Sequence, residues 1–359
     1  MKNELKKRNL PPLPTREEMI EILQREEYGY LPNVEYSISV SEPISVYGEF
    51  ACGTVEHSYV TLTITVGEKS HSIRVDRLLH TDNKKRPLIL FNNFHPMYAS
   101  RYFALEEMTE KDVNFLCYCY EDITSDNGDF SNGIAPLLLP NGQQKETDCG
   151  KIAMWAWANM RVLDYALTLE GTDPNNIGIA GHSRLGKTAL YTAMLDERIR
   201  FVYSNATGCS GDALYRGNSG FYKKENPRLT GELIEDIYRV FPYWFCKNYE
   251  KYTKTNIPDT FDQHFLIGSI APRYVIIGAC SLDFWADPKS QQLCALASSE
   301  AWERMGLSGL IGGESELTVG QRLLDGHVAF FLLQSRHLLS RHGWCNFIDF
   351  IEKHKFSDK

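Results

Sequence analysis

The chain has no uninterrupted apolar run of 18 or more residues among its 359, so nothing in it reads as a helix that spans a bilayer. It has no C-x-x-C pair either. Its nine cysteines are scattered and odd in number, which argues against a zinc site or a disulfide framework and for reduced thiols in a cytoplasm. The Lys-rich start MKNELKKRNLPPLP is followed by TREEMIEILQREEYGYLP instead of an apolar stretch, so no secretory leader is expected. Positive charge is in deficit: 38 Lys and Arg stand against 46 Asp and Glu, a formal net charge of -8. That balance supplies no field for a phosphate backbone or an anionic membrane, and leaves a small molecule or a sugar as the fitting partner. Neither an internal repeat nor a dividing linker is found. What is present, 43% hydrophobic and 23% charged residues, is enough to bury a large core.

Residues 15–26 read as a short amphipathic helix, with Thr15 as N-cap and Glu18 completing a capping box. From 35 to 80 the apolar period becomes two, with a turn at Gly67-Glu68-Lys69, which predicts an antiparallel region of at least three strands. PLILFNNF (87–94) and VNFLCYCYE (113–121) are continuous apolar runs, as expected of strands buried on both faces of a mainly parallel sheet. A loop rich in Asp, Asn, Gly and Pro fills 122–149, long enough to carry function. KIAMWAWANMRVLDYALTL (151–169) predicts a helix, and a further strand is expected in DERIRFVYSNATG. A Gly-rich and charged stretch to about 230 then precedes a helix in GELIEDIYRVFPYWFCKNYEKY. APRYVIIGAC (271–280) predicts a strand, QQLCALASSEAWERMG and the tail WCNFIDFIEKH predict helices, and IGGESELTVGQ is open between loop and short strand. Alternation of strands and helices over 86–352, behind a helix and β extension over 1–85, predicts one α/β domain with a doubly wound sheet.

The stretch NNIGIAGHSRLGKTALYTAML (175–195) stands at the centre of that plan. An apolar strand meets Gly181, the triplet His182-Ser183-Arg184 follows, and a small-residue helix begins, which is the strand, turn and helix of a nucleophile elbow. The spacing is G-x-S-x-x-G, with Leu185 where the common form has its second glycine. The bland alternative is a glycine turn leading into a helix capped by serine. In a doubly wound sheet catalytic groups gather at the carboxyl ends of the strands, and the α/β-hydrolase order of Ser, acid and His is met by Ser183, then Asp283 or Asp287, then a late histidine. His354 lies in the charged tail and His342 beside Arg341, which leaves His327 or His337. His95 and His264 are further candidates for the border of a pocket, and Tyr243-Trp244-Phe245 reads as core or pocket wall.

GHSRLGKTALYTAMLDERI, GELIEDIYRVFPYWF, FDQHFLIGSIAPR, DFWADP and RHLLSRHGWCNFIDF together resemble family 15 of the carbohydrate esterases, the glucuronoyl esterases and their acetylxylan-esterase-like relatives. The resemblance covers most of 90–352 and the EEYGYLP stretch near the start. It implies an α/β-hydrolase fold and cleavage of glucuronic acid esters in xylan with no metal and no cofactor. It also implies Ser183 as nucleophile, Arg184 as oxyanion stabiliser through its N–H and guanidinium, Lys187 as a holder of sugar hydroxyls, His337 as base, and Glu232 and Trp285 in the sugar site. Two positions depart from the family. Ala206 stands where many members carry the triad glutamate, and Gly343 where an aspartate is usual. Asp283 is then the expected acid and Asp287 the second choice, since Asp287-Pro288 also suits a turn.

The reading is a serine esterase acting on a carbohydrate-linked ester, glucuronoyl in type, through Ser183, His337 and Asp283. An acetyl-sugar esterase and a hydrolase-fold binding protein without turnover are the alternatives, the latter motivated by Ala206 and Gly343. A cytoplasmic location would imply imported oligosaccharides as substrates in place of polymeric xylan.

Overall fold

A computed structural model describes residues 1–96, 102–142, 144–217 and 231–356, without the side chains of 47–50, 106 and 107. Much of the Gly-rich charged stretch predicted to reach about 230 lies outside the described residues. Eleven strands form one sheet: β1 Ser37–Val40, β2 Ile44–Phe50, β3 Val55–Val66, β4 Lys69–His80, β5 Arg86–Asn93, β6 Asn114–Cys119, β7 Thr172–His182, β8 Phe201–Asn205, β9 Tyr274–Cys280, β10 Arg322–Leu323 and β11 Val328–Leu333. Their spatial order is β1-β3-β4-β6-β5-β7-β8-β9-β11-β10, with β2 paired to β3. β5 to β9 and β11 run parallel. β1 to β4 form the antiparallel extension that the period-two pattern predicts, joined to the rest through β4 against β6.

The continuous apolar runs behave as expected, every residue of β5, β6 and β8 being buried, because helices cover both faces. On one face lie Lys151–Ala166, Arg184–Leu195 and Pro288–Ser298, and on the other Leu105–Thr109 and Arg341–His354, which sandwich the sheet between two apolar clusters. The first helix, Arg16–Leu23, carries the predicted capping box between Thr15 and Glu18. The aromatic stretch after Glu232 is not the single helix expected. Pro242 has no N–H to continue the ladder, and the chain breaks into Ile234–Val240 and two 3-10 segments, Pro242–Trp244 and Lys247–Lys254. IGGESELTVGQ settles as turns, and the sequence reading assigned no strand to VAFFLL, which forms β11.

Position in the sheet explains why the elbow matters. β5 has β6 on one side and β7 on the other, so the winding reverses there, and a crevice opens beyond the carboxyl ends of these strands. Ser183 follows the last residue of β7 at that crevice.

Candidate active site

Ser183 has φ 56 and ψ -126, a backbone conformation costing about 1–3 kcal/mol in a non-glycine residue, and its side chain makes no cap hydrogen bond. The bland reading of a serine N-cap therefore does not hold. The turn is fastened by the Ser183 N–H donating to the Asn205 carbonyl at 2.9 Å and by the Gly186 N–H donating to the Ser183 carbonyl at 2.9 Å. The shifted glycine spacing has a steric cause. A Cβ on Gly181 would lie 2.1 Å from the Leu185 carbonyl oxygen, and one on Gly186 would lie 2.1 Å from Thr207 Cγ2. The helix thus presses on the strand at Gly181 and on the loop after β8 at Gly186, and Leu185 is left to enter the core.

A cavity of about 440 Å³ opens at the elbow, lined among others by Ser183, Arg184, Lys187, Glu232, Trp285, Asp283 and His337. All seven residues expected at the site from sequence meet there. His337 follows β11 and Asp283 follows β9, neighbouring parallel strands, so their loops leave the sheet side by side. His337 Nδ1 lies 2.6 Å from Asp283 Oδ2, with the carboxylate 4% exposed and the imidazole 41% exposed. A carboxylate at Nδ1 fixes the proton there and leaves Nε2 as the base.

The other acid and the other histidines are used elsewhere. Asp287 caps the helix Pro288–Ser298, its Oδ1 accepting the Ser290 N–H at 3.0 Å. Asp287→Ala should therefore cost about 1 kcal/mol of stability in chemical denaturation, as loss of an N-cap does, with turnover held. His327 stacks on Tyr274 at 4.5 Å and contacts the Ser308 carbonyl. His264 is a correction to its place on the pocket border: it is buried against the Pro11 carbonyl, at 3.0 Å. His95 stacks on Tyr102, 5.8 Å between ring centres, and Tyr102 in turn contacts His182 at 5.2 Å.

Both departures from the family pattern have a structural account. Ala206 is buried in a small apolar cluster with Cys280 and Ala286. At Gly343 a Cβ would fall 2.3 Å from the Tyr203 hydroxyl, so that oxygen fills the space an aspartate would need. The Tyr203 hydroxyl donates to Asn205 Oδ1 at 2.8 Å, and Asn205 Nδ2 reaches both His182 Nδ1 at 2.8 Å and the Leu338 carbonyl at 3.2 Å. His182 packs against His337 with ring centres 4.5 Å apart and planes tilted by 43°. Sequence reasoning missed this network because no motif couples Tyr203, Asn205 and the peptide after His337.

The polar wall opposite is built from paired loops. The Gly231 N–H donates to Phe284 and the Glu232 N–H to Trp285, which brings Glu232 and Trp285 together. Lys187 is 3% exposed and donates from Nζ to the Thr207 and Cys209 carbonyls, so two of its three donors are taken before any sugar hydroxyl arrives. Burial lowers the Lys187 pKa, opposed first by the charge of Glu232. Burial raises Glu232 from 4.5 to about 8, against the pull of Lys187. Between those two values the folded chain holds a proton that the unfolded chain releases, so stability falls as pH rises through that window. Glu232→Gln should flatten the fall: the melting temperature should drop less between pH 5 and pH 9 than in the unsubstituted protein, with about 1.4 kcal/mol at stake for each pH step of one across the window. Equal slopes in both proteins would show that Glu232 does not carry the proton.

Arg184 is found where sequence reasoning expects it, but with a partner that reasoning missed. Its Nη1 donates to Asp126, in the long loop after β6. The described residues hold no cluster of three or more His, Cys, Asp or Glu able to bind a metal ion, and no helix long and apolar enough to cross a membrane.

Comparison with known proteins places the sequence and the fold in one group. A family model described as "Glucuronyl esterase, fungi" matches residues 62–306. Carbohydrate esterase MZ0003, from an unknown prokaryotic organism, is 27% identical over 380 residues, covering 94% of this chain and 84% of that protein. The 4-O-methyl-glucuronoyl methylesterase of Hypocrea jecorina is 30% identical over 300 residues, covering 82% of this chain and 58% of that longer protein. The fold is also that of the glucuronoyl esterase from Solibacter usitatus, with a TM-score of 0.82, 24% identity and coverage of 94% of this chain and 91% of that one. With the family model matching more than half of the chain, Ser183 and Asp283 included, the chain belongs to the glucuronoyl esterases, family 15 of the carbohydrate esterases, and is a carboxylic ester hydrolase of the serine type.

Proposed function

We propose that this protein hydrolyses a glucuronoyl ester on a small carbohydrate through an acyl-enzyme. The observation that carries this reading is the 2.6 Å bond between His337 and Asp283 in the cavity that holds Ser183. The Ser183 hydroxyl attacks the ester carbonyl while His337 Nε2 takes its proton, and Asp283 steadies the resulting imidazolium. The carbonyl oxygen becomes an oxyanion facing the Arg184 N–H, the first amide of its helix and so without an intrahelical acceptor, and the Arg184 guanidinium. His337 then returns the proton to the departing alcohol oxygen. Water repeats the sequence in reverse, attacking the acyl carbon and releasing the uronic acid and Ser183.

Lys187, Glu232 and Trp285 line the cavity with groups able to bond sugar hydroxyls, and Phe241 and Trp244 offer an apolar surface, a division that suits a sugar on one side of the ester and a less polar alcohol on the other. A bare acetyl group would leave the polar wall unused. The test compares turnover of methyl glucuronate with that of p-nitrophenyl acetate and acetylated xylose. A preference in kcat/KM for the glucuronate ester supports the reading, and a preference for both acetyl esters would replace it. All nine cysteines are free thiols, which supports the proposal of a reducing, cytoplasmic compartment and oligosaccharide-sized substrates.

A further inference from the structure

A guanidinium that stabilises charge only in the transition state must already point at it, because reorganising a long, flexible side chain during the reaction forfeits the benefit. Arg184 is partly exposed at the mouth of the cavity, with its side chain 23% accessible. Two things restrain it. Its guanidinium carbon lies 4.6 Å from the centre of the Trp244 ring and 5.0 Å from that of Phe241, rings that stack on each other at 3.9 Å and 3°. Its Nη1 donates to Asp126 Oδ2. Asp126 is itself immobilised: Oδ1 accepts Trp244 Nε1–H at 2.7 Å, Oδ2 accepts the Tyr120 hydroxyl at 3.2 Å, and its carbonyl accepts the Tyr243 hydroxyl at 2.9 Å. The surrounding loop is pinned from below by buried Lys151, whose Nζ donates to Thr124 Oγ1 at 2.8 Å and to the Asp129 carbonyl at 2.6 Å.

Which donor Asp126 takes matters as much as the pairing. Nη1 is the guanidinium nitrogen on the same side as Cδ, so the opposite edge, formed by Nε and Nη2, stays unengaged among the described residues. That edge is the fork with which arginine grips carboxylate and phosphate oxygens. Nε is buried and has no hydrogen-bond partner among the described residues, so Nη2 is the nitrogen of that edge left to act in the cavity that Arg184 and Ser183 both line.

We propose that Asp126 is a positioning residue for ester hydrolysis: it holds the Arg184 guanidinium by Nη1 against the Trp244 and Phe241 rings, so that Nη2 is directed to the developing oxyanion. The proposal rests on Ser183 being the nucleophile. It requires the contribution of Asp126 to pass through Arg184, and a double-substitution cycle measures that. Asp126→Asn keeps an acceptor for Trp244 and removes the charge that draws the guanidinium. We expect kcat on methyl glucuronate to fall about 10- to 100-fold, the order seen when a catalytic group is misplaced, with KM changed by less than about threefold. In an Arg184→Ala background the same substitution should cost less than about twofold.

Trp244→Phe keeps the stacked ring and deletes only the Nε1 donor. It should show the same dependence on Arg184 with a smaller loss, and it carries the test if Asp126→Asn does not fold. Equal losses in the two backgrounds, a loss confined to KM, or no loss at all would overturn the role of Asp126 and leave the nucleophile untouched. Turnover that survives Ser183→Ala would remove both.

Discussion

Ser183→Ala is expected to lower kcat on a glucuronoyl ester by at least about five orders of magnitude, the scale on which removing a serine nucleophile acts, while far-ultraviolet circular dichroism and melting temperature stay those of the unsubstituted protein. The asymmetry follows from the local structure. The Ser183 side chain makes no cap bond, and the turn is held by backbone bonds to Asn205 and Gly186 that alanine keeps. The strain of a positive φ is common to serine and alanine, so the substitution neither adds nor relieves it. What disappears is the only atom at the tip of the elbow that can form the acyl bond. His337 and Asp283 would remain paired with nothing to deprotonate but water, and residual turnover would come from oxyanion stabilisation and binding alone. A fluorophosphonate probe should label the unsubstituted protein at Ser183 and leave the variant unlabelled. Turnover in the variant within tenfold of the parent, on the order of 1 kcal/mol in barrier, would end the serine-hydrolase assignment.

The second large effect is expected at Asp283, where Asp283→Asn should lower kcat by about four orders of magnitude and leave KM nearly unchanged. An asparagine keeps the volume of the buried side chain but can turn its amide N–H toward His337 Nδ1. The ring then carries its proton on Nε2, facing Ser183, and cannot act as the base. The imidazolium formed during attack also loses the negative charge 2.6 Å from it. Asp287→Asn serves as the control, since that residue caps a helix at Ser290 and lies off the histidine. An Asp283→Asn variant with full turnover would mean that another group orients His337, and the Asn205 and His182 network against the ring would be the first place to look.

Much of this is legible in the sequence because it depends on residues close together along the chain. The capping box at Thr15, the period-two strands up to His80 and the apolar runs of β5 and β6 each follow from spacing within a dozen residues. The elbow was legible for the same reason, a strand, turn and helix being local chemistry. The misses fall where distant parts of the chain decide. β11 is a short apolar run that only pairing with β9 distinguishes from a buried helix segment. The break at Pro242 was visible in principle but masked by an unbroken row of aromatic residues.

By itself the sequence determined an α/β sheet with Ser183 at its centre and, through chain order and resemblance, a short set of partners for it. It left two acids open, Asp283 and Asp287, four residues apart at the end of one strand. In the tertiary structure neighbouring β9 and β11 bring Asp283 onto His337, while Asp287 caps the next helix. The same structure explained the two family departures, with Tyr203 standing in front of Gly343 and Ala206 sealed against Cys280 and Ala286. It also supplied Asp126, 58 residues from Arg184 in a loop with no recognisable pattern. Contacts of that separation depend on which strands lie side by side, and strand order is a property of the whole packed chain that no local run of residues encodes.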